Sequence, residues 1–136
     1  MNKRNSQISI GSCFQIGDGN GKHLHVIVAE SSEEITGLVM LVYISSSDSE
    51  AWRDDTTILN VGDHPFITKK SWVRYQNIKI ENKQSLFNPA IKYEGVISSS
   101  VLDRIQDGIK KSKRVPRNIK DIFIEWNQGF LFRDSK

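Results

Sequence analysis

Cysteine is nearly missing from this chain. Cys13 is the only one in 136 residues, so no disulfide can form within it and a disulfide-stapled scaffold is excluded. Long hydrophobic runs are missing too: none approaches the ~20 residues that a membrane-spanning helix needs. The opening Met1-Asn2-Lys3-Arg4-Asn5-Ser6-Gln7 is basic with no apolar stretch behind it, which does not read as a signal peptide. Proline is sparse, with three in all, and no repeat or low-complexity tract is present. Histidine also occurs only three times, at 23, 25 and 64, and lacks the close-spaced ligand pairs of zinc sites. A cytoplasmic protein without metal or other cofactor is the expectation.

What is present is ordinary globular composition, 38% hydrophobic and 26% charged, rather than that of a disordered chain. The length fits one domain, expected over 10–128, with terminal tails at 1–9 and 129–136. The net charge of +3 is unevenly spread. Lys69, Lys70, Arg74, Lys79 and Lys83 recur among aromatics, and Lys110, Lys111, Lys113, Arg114, Arg117 and Lys120 crowd a later stretch. Glu30, Glu33, Glu34, Asp48, Glu50, Asp54 and Asp55 lie before them. Such a pattern fits either a phosphate-binding face or two solvated faces.

Five strands are expected. Residues 12–16 lead into the glycine-rich turn 17–21, and 23–29 are rich in β-branched residues, with His23 and His25 on one face and Leu24 and Val26 on the other. The nearly continuous apolar run 36–44 suits a strand buried on both faces. Residues 56–61 end at Gly62-Asp63-His64-Pro65, where proline keeps His64 out of helical geometry. The alternation of 71–80 puts Trp72, Arg74, Gln76 and Ile78 on one side. From residue 100 the period becomes helical. Leu102, Ile105 and Ile109 form one stripe capped by Ser100 and Asp103, with Gly108 weakening the helix by about 1 kcal/mol. Ile119, Ile122, Phe123 and Trp126 form another after Pro116. The whole reads as mainly β with C-terminal helices, a small SH3-like β-barrel.

Imidazoles beside a hydroxyl and basic residues suit phosphodiester transfer. One takes the proton of a 2′-hydroxyl, another protonates the leaving oxygen, and a cation offsets charge on phosphorus. An exposed histidine at a strand end, or one before proline in a turn, also occurs with no chemical role. Cys13 reads as an ordinary strand residue.

The order of segments is similar to the MazF/PemK family of toxin endoribonucleases. Gly21-Lys22-His23-Leu24-His25-Val26-Ile27-Val28 resembles that family's G-H-R-P-A-V-V-L-S segment. The strand ending in Ile44-Ser45-Ser46 resembles one ending in paired hydroxyl residues, and Ser71–Ile78 resembles V-A-L-A-D-Q-V-K-S-I. The run 97–105 resembles the family's C-terminal helix. The resemblance implies a metal-independent endoribonuclease acting on single-stranded RNA, built as a homodimer and neutralised by an antitoxin protein. It sets His23 where the family has an arginine and Ser45 where it has a threonine. The expected catalytic residues are therefore His23, His25, His64 and Ser45. Lys22, Ser46, Lys70 and Arg74 would hold RNA, with Trp72 or Tyr75 stacking a base. The alternative is a non-catalytic module on the same barrel that binds nucleic acid or protein.

Overall fold

The computed structural model describes residues 8–18, 21–31, 37–47 and 53–134. Its elements are β1 (Ser12–Asp18), β2 (Gly21–Glu30), β3 (Leu38–Ser45), β4 (Ile58–Leu59), β5 (Ser71–Asn82), a 3-10 turn (Lys83–Phe87), β6 (Lys92–Val96), α1 (Ser99–Lys111) and α2 (Arg117–Asp134). The six strands make one curled antiparallel sheet in the order β4-β5-β3-β2-β1-β6. The chain is thus mainly β with two C-terminal helices.

Strand alternation sorts the apolar residues onto two faces. Leu24, Val26 and Val28 of β2, Met40, Val42 and Ile44 of β3, and Val73 and Tyr75 of β5 turn inward. They pack under Val101, Ile105 and Ile109 of α1 and Phe123 of α2. On the other face Phe14, Ile27, Val39 and Leu41 form a smaller cluster with Ile8 and with Leu86 of the 3-10 turn. The apolar run of β3 is therefore covered on both sides, as its continuity predicts. Each fully buried side chain of this size contributes about 1.5–3 kcal/mol. Ile8 belongs to the packed body, and α2 runs on through Asp134.

Three local features depart from the sequence reading. The register between β3 and β5 passes from Leu41↔Lys79 to Tyr43↔Arg74, two steps on one strand against five on the other. This bulge reverses the alternation, so Ile78 joins Val73 and Tyr75 in the core instead of sharing a face with Arg74. Strand β6, unforeseen because Lys92-Tyr93-Glu94-Gly95-Val96 has no apolar run, pairs with β1. The cap of α1 is Ser98, whose Oγ accepts from the Val101 N–H, rather than Ser100.

At Gly108 the helix α1 lies close upon Tyr75 and Thr57. A Cβ there would fall on the Tyr75 hydroxyl and on Thr57 Oγ1. Beneath it those two hydroxyls lie 2.6 Å apart, and Tyr75 donates to the Ile105 carbonyl at 2.9 Å. The glycine that looks like a weakness in the isolated helix is what lets the helix lie this low.

Among the described residues the edge strands β4 and β6 are not paired, but His64 links their two sides. Its Nδ1 accepts from the Phe66 N–H at 3.0 Å, and its Nε2 lies 2.9 Å from the Glu94 carbonyl. An acceptor at Nδ1 and a donor at Nε2 assign the neutral Nε2–H tautomer. Beside it, Asp63 Oδ2 accepts from the Asn60 N–H at 2.7 Å and pairs with Arg104 at 3.5 Å. No helix of the described residues is long and apolar enough to cross a membrane.

Candidate functional site

The beginning of β2 and the end of β3 lie side by side, with Leu24 opposite Ile44. The segment after His64 passes in front of them and leaves a cleft of about 320 Å³. Lys22, His23, Ser46 and Lys69 line it, over apolar walls that include Leu24, Ile44 and Ile67. The strand ends explain this mixture. Inward side chains of β2 and β3 form the walls, while Lys22 and Ser46, at the ends of those strands, are exposed. Two ammonium groups, an imidazole and a hydroxyl around one cleft form a cradle for an anion.

The outer face continues the site. His25, Tyr43 and Arg74 are register partners across β2, β3 and β5. The Tyr43 ring lies 4.6 Å from the His23 ring and 5.2 Å from that of His25, the latter edge-on at 86°. The Arg74 guanidinium carbon is 5.5 Å from the Tyr43 ring centre, within cation–π range. His25 Nδ1 lies 3.1 Å from the His23 carbonyl. Beyond Tyr43 a second hollow of about 170 Å³ is lined by Ile16, Gly17, His25, Tyr43, Asn77 and Lys79.

Not every expected residue reaches this region. Lys22, His23 and Ser46 line the cleft, and His25 and Arg74 flank Tyr43. His64 does not line the cleft. Its ring is 5% exposed and both nitrogens serve backbone groups, so its place is in the frame, beside the Pro65-Phe66 wall. Ser45 is 4% exposed, and its Oγ accepts from the Ser47 N–H at 3.2 Å, shaping the exit from β3. Trp72 is largely buried, donates to Asp55 at 2.9 Å and carries Lys70 over its ring at 5.4 Å. Tyr75 is fully buried under α1, and no base can reach its ring. Burial pushes its phenol above the ordinary value, against the opposing bond from Thr57.

Tyr43 and Asn77 were not expected at the site, and Lys69 and Lys79 were foreseen only within a basic stretch that could bind phosphate. Tyr43 had a usable signal, since it shares an alternation with Ser45 rather than with Val42. Lys79 had only its place in the basic run 69–83 and Asn77 had none, because the β5 bulge is what turns both outward.

Cys13 is fully buried. Burial pushes its thiol up to about 12; a backbone bond at Ile97 opposes the shift and the Glu94 charge adds to it. A thiol held protonated in this way is no nucleophile. Among the described residues no group of three or more histidine, cysteine, aspartate or glutamate side chains is placed to hold a metal ion. No family model, curated protein or solved structure matches this chain.

Proposed function

We propose that this chain is a MazF/PemK-like protein directed at single-stranded RNA, holding a backbone phosphate in the cleft lined by Lys22, His23, Ser46 and Lys69. One observation carries the reading. Two of the four segments that resemble the family, Gly21–Val28 and Ile44–Ser46, both contribute residues to that cleft although fifteen residues of chain lie between them. Lys70, Arg74 and Lys79 add positive charge, and the histidine–Tyr43 row adds aromatic surface, the combination by which proteins track a single strand. An SH3-like barrel fits the curled sheet, with the His64 link standing where a closing strand pair would be.

As an endoribonuclease the cleft works without a cofactor. His23 takes the proton of the 2′-hydroxyl, the freed oxygen attacks phosphorus, and the 5′-oxygen leaves with a proton from solvent. Lys22 and Lys69 offset the charge that grows on the phosphoryl oxygens, and the Ser46 hydroxyl donates to one of them. The same basic surface suits a disordered acidic antitoxin segment, and the family resemblance adds a homodimer.

Binding without cleavage is the second reading. It is favoured by the use of His64 and Ser45 in the frame, which leaves one imidazole lining the cleft among the described residues. Labelled single-stranded RNA incubated with the protein in EDTA between pH 6 and 8 decides. Cleavage that disappears in His23→Ala supports the enzyme. Salt-sensitive binding that weakens in Lys22→Ala/Lys69→Ala, with the RNA left whole, supports the module. Protein that neither binds nor cuts RNA refutes both.

A further inference from the structure

The hollow of about 170 Å³ beyond Tyr43 belongs to no step of the proposed cleavage. Like the phosphate cleft it has both a polar rim and an aromatic wall. Asn77 offers an amide that donates and accepts, and Lys79 an ammonium that donates. Tyr43 and His25 stand at one side, and Ile16 supplies an apolar surface. Gly17 lines it through its backbone. Its backbone is not in the left-handed region, and a Cβ there would meet only Lys22 Cγ at 3.8 Å and the Gly21 carbonyl at 4.0 Å. A side chain there would stand with Lys22, its register partner, on the face away from His25 and Tyr43.

Size narrows the occupant. A cavity of about 150 Å³ takes a single benzene ring, whereas pockets for drug-sized ligands begin near ~300 Å³. A hollow of about 170 Å³ therefore matches a single six-membered ring better than a fused purine. Carbonyl and amino groups on that ring would meet Lys79 and Asn77, and its face would meet aromatic wall. The position narrows it further. His23 lines the phosphate cleft and His25 lines the hollow. Two residues along one strand face are about 6.7 Å apart, so both spaces are within reach of one nucleotide and its neighbour.

We infer that the hollow formed by Gly17, His25, Tyr43, Asn77 and Lys79 is a pyrimidine-base subsite, which selects the nucleotide next to the phosphate held in the cleft. This rests on the RNA-directed reading of the cleft. The bulge in β5 is what brings Asn77 and Lys79 to it.

Fluorescence anisotropy with labelled RNA hexamers in EDTA tests it. Oligo(U) or oligo(C) binds about tenfold more tightly than oligo(A), the size of effect that one stacked base confers. In Asn77→Ala/Lys79→Ala, which strips the polar rim of the hollow, that ratio collapses toward one while the thermal unfolding curve shows the protein still folded. Equal affinity for pyrimidine and purine hexamers, or a preference that survives in Asn77→Ala/Lys79→Ala, overturns the subsite. A second measurement separates the two readings. Titration with uridine monophosphate shifts the ring resonances of His25 and Tyr43 more than adenosine monophosphate does, whatever happens in the cleft. If no hexamer binds but this selective shift is seen, the subsite stands and the RNA reading of the cleft falls. If neither occurs, both fall.

Discussion

Adding one methyl group at Gly108 should unsettle the whole body. In an exposed helix Gly→Ala stabilises by about 1 kcal/mol, because alanine restricts the unfolded chain and favours helix. Here the new Cβ would occupy the space of the Tyr75 hydroxyl and Thr57 Oγ1. Either α1 lifts away from the sheet or Tyr75 moves. Lifting uncovers Val101, Ile105 and Ile109, and moving Tyr75 breaks the 2.6 Å bond to Thr57 and the 2.9 Å bond to the Ile105 carbonyl. Overpacking costs about 1–3 kcal/mol, and a buried polar group left without its partner about 1–3 kcal/mol more. After the helix-propensity gain, Gly108→Ala is expected to lose about 1–5 kcal/mol. Urea unfolding followed by circular dichroism measures this as a lower midpoint at unchanged slope. Tyr75→Phe in the same background, which removes the hydroxyl, recovers part of the loss. A midpoint that rises by the ordinary glycine-to-alanine increment would show that α1 does not rest on Tyr75 and Thr57.

Two further outcomes are expected. Burial works against charge at Asp54, yet hydrogen bonds from the Ser112 hydroxyl at 2.6 Å and from Thr56, together with Arg114, prevail and hold its carboxyl below the ordinary value. Its contribution is thus present above about pH 4 and lost as pH falls through the folded value, so the stability gap between wild type and Asp54→Asn in urea titrations is full at neutral pH and shrinks in acid; a gap that grows on acidification would contradict this. His64→Ala, which leaves the Phe66 N–H and Glu94 carbonyl without their partner, lowers unfolding stability by about 2–4 kcal/mol, whereas His23→Ala costs less than about 1 kcal/mol; equal losses would contradict the assignment of His64 to the frame and His23 to the cleft.

Most of the strand body was legible in the sequence because its signal is local. β1, β2, β3 and β5 each carry a β-branched or alternating run, and the stripe of Leu102, Ile105 and Ile109 announces α1. What was not legible depends on partners. β6 is polar and broken by Gly95, and it becomes a strand only because β1 offers it an edge. Residues 56–61 look like a full strand, yet only Ile58 and Leu59 pair with β5. The site divides in the same way. Lys22, His23 and Ser46 could be placed near strand ends from sequence alone. A histidine before proline and a tyrosine among basic residues gave no sign that His64 would be claimed by the Glu94 carbonyl or Tyr75 by the underside of α1.

The β5 bulge joins the stability of the body to the chemistry of its outer face. Unbroken alternation from Tyr75 would turn Asn77 and Lys79 inward beneath the helices and leave Ile78 and Ile80 outside. An ammonium in that apolar layer would have no partner and would cost several kcal/mol, so the sequence from 75 to 80 is incompatible with a regular strand. One irregularity in the register resolves both faces together. It returns Ile78 and Ile80 to the core, and it sets Asn77 and Lys79 beside Tyr43 and His25. The rim of the outer hollow is therefore a consequence of the way the core is packed, and a substitution that straightens β5 would be expected to damage both.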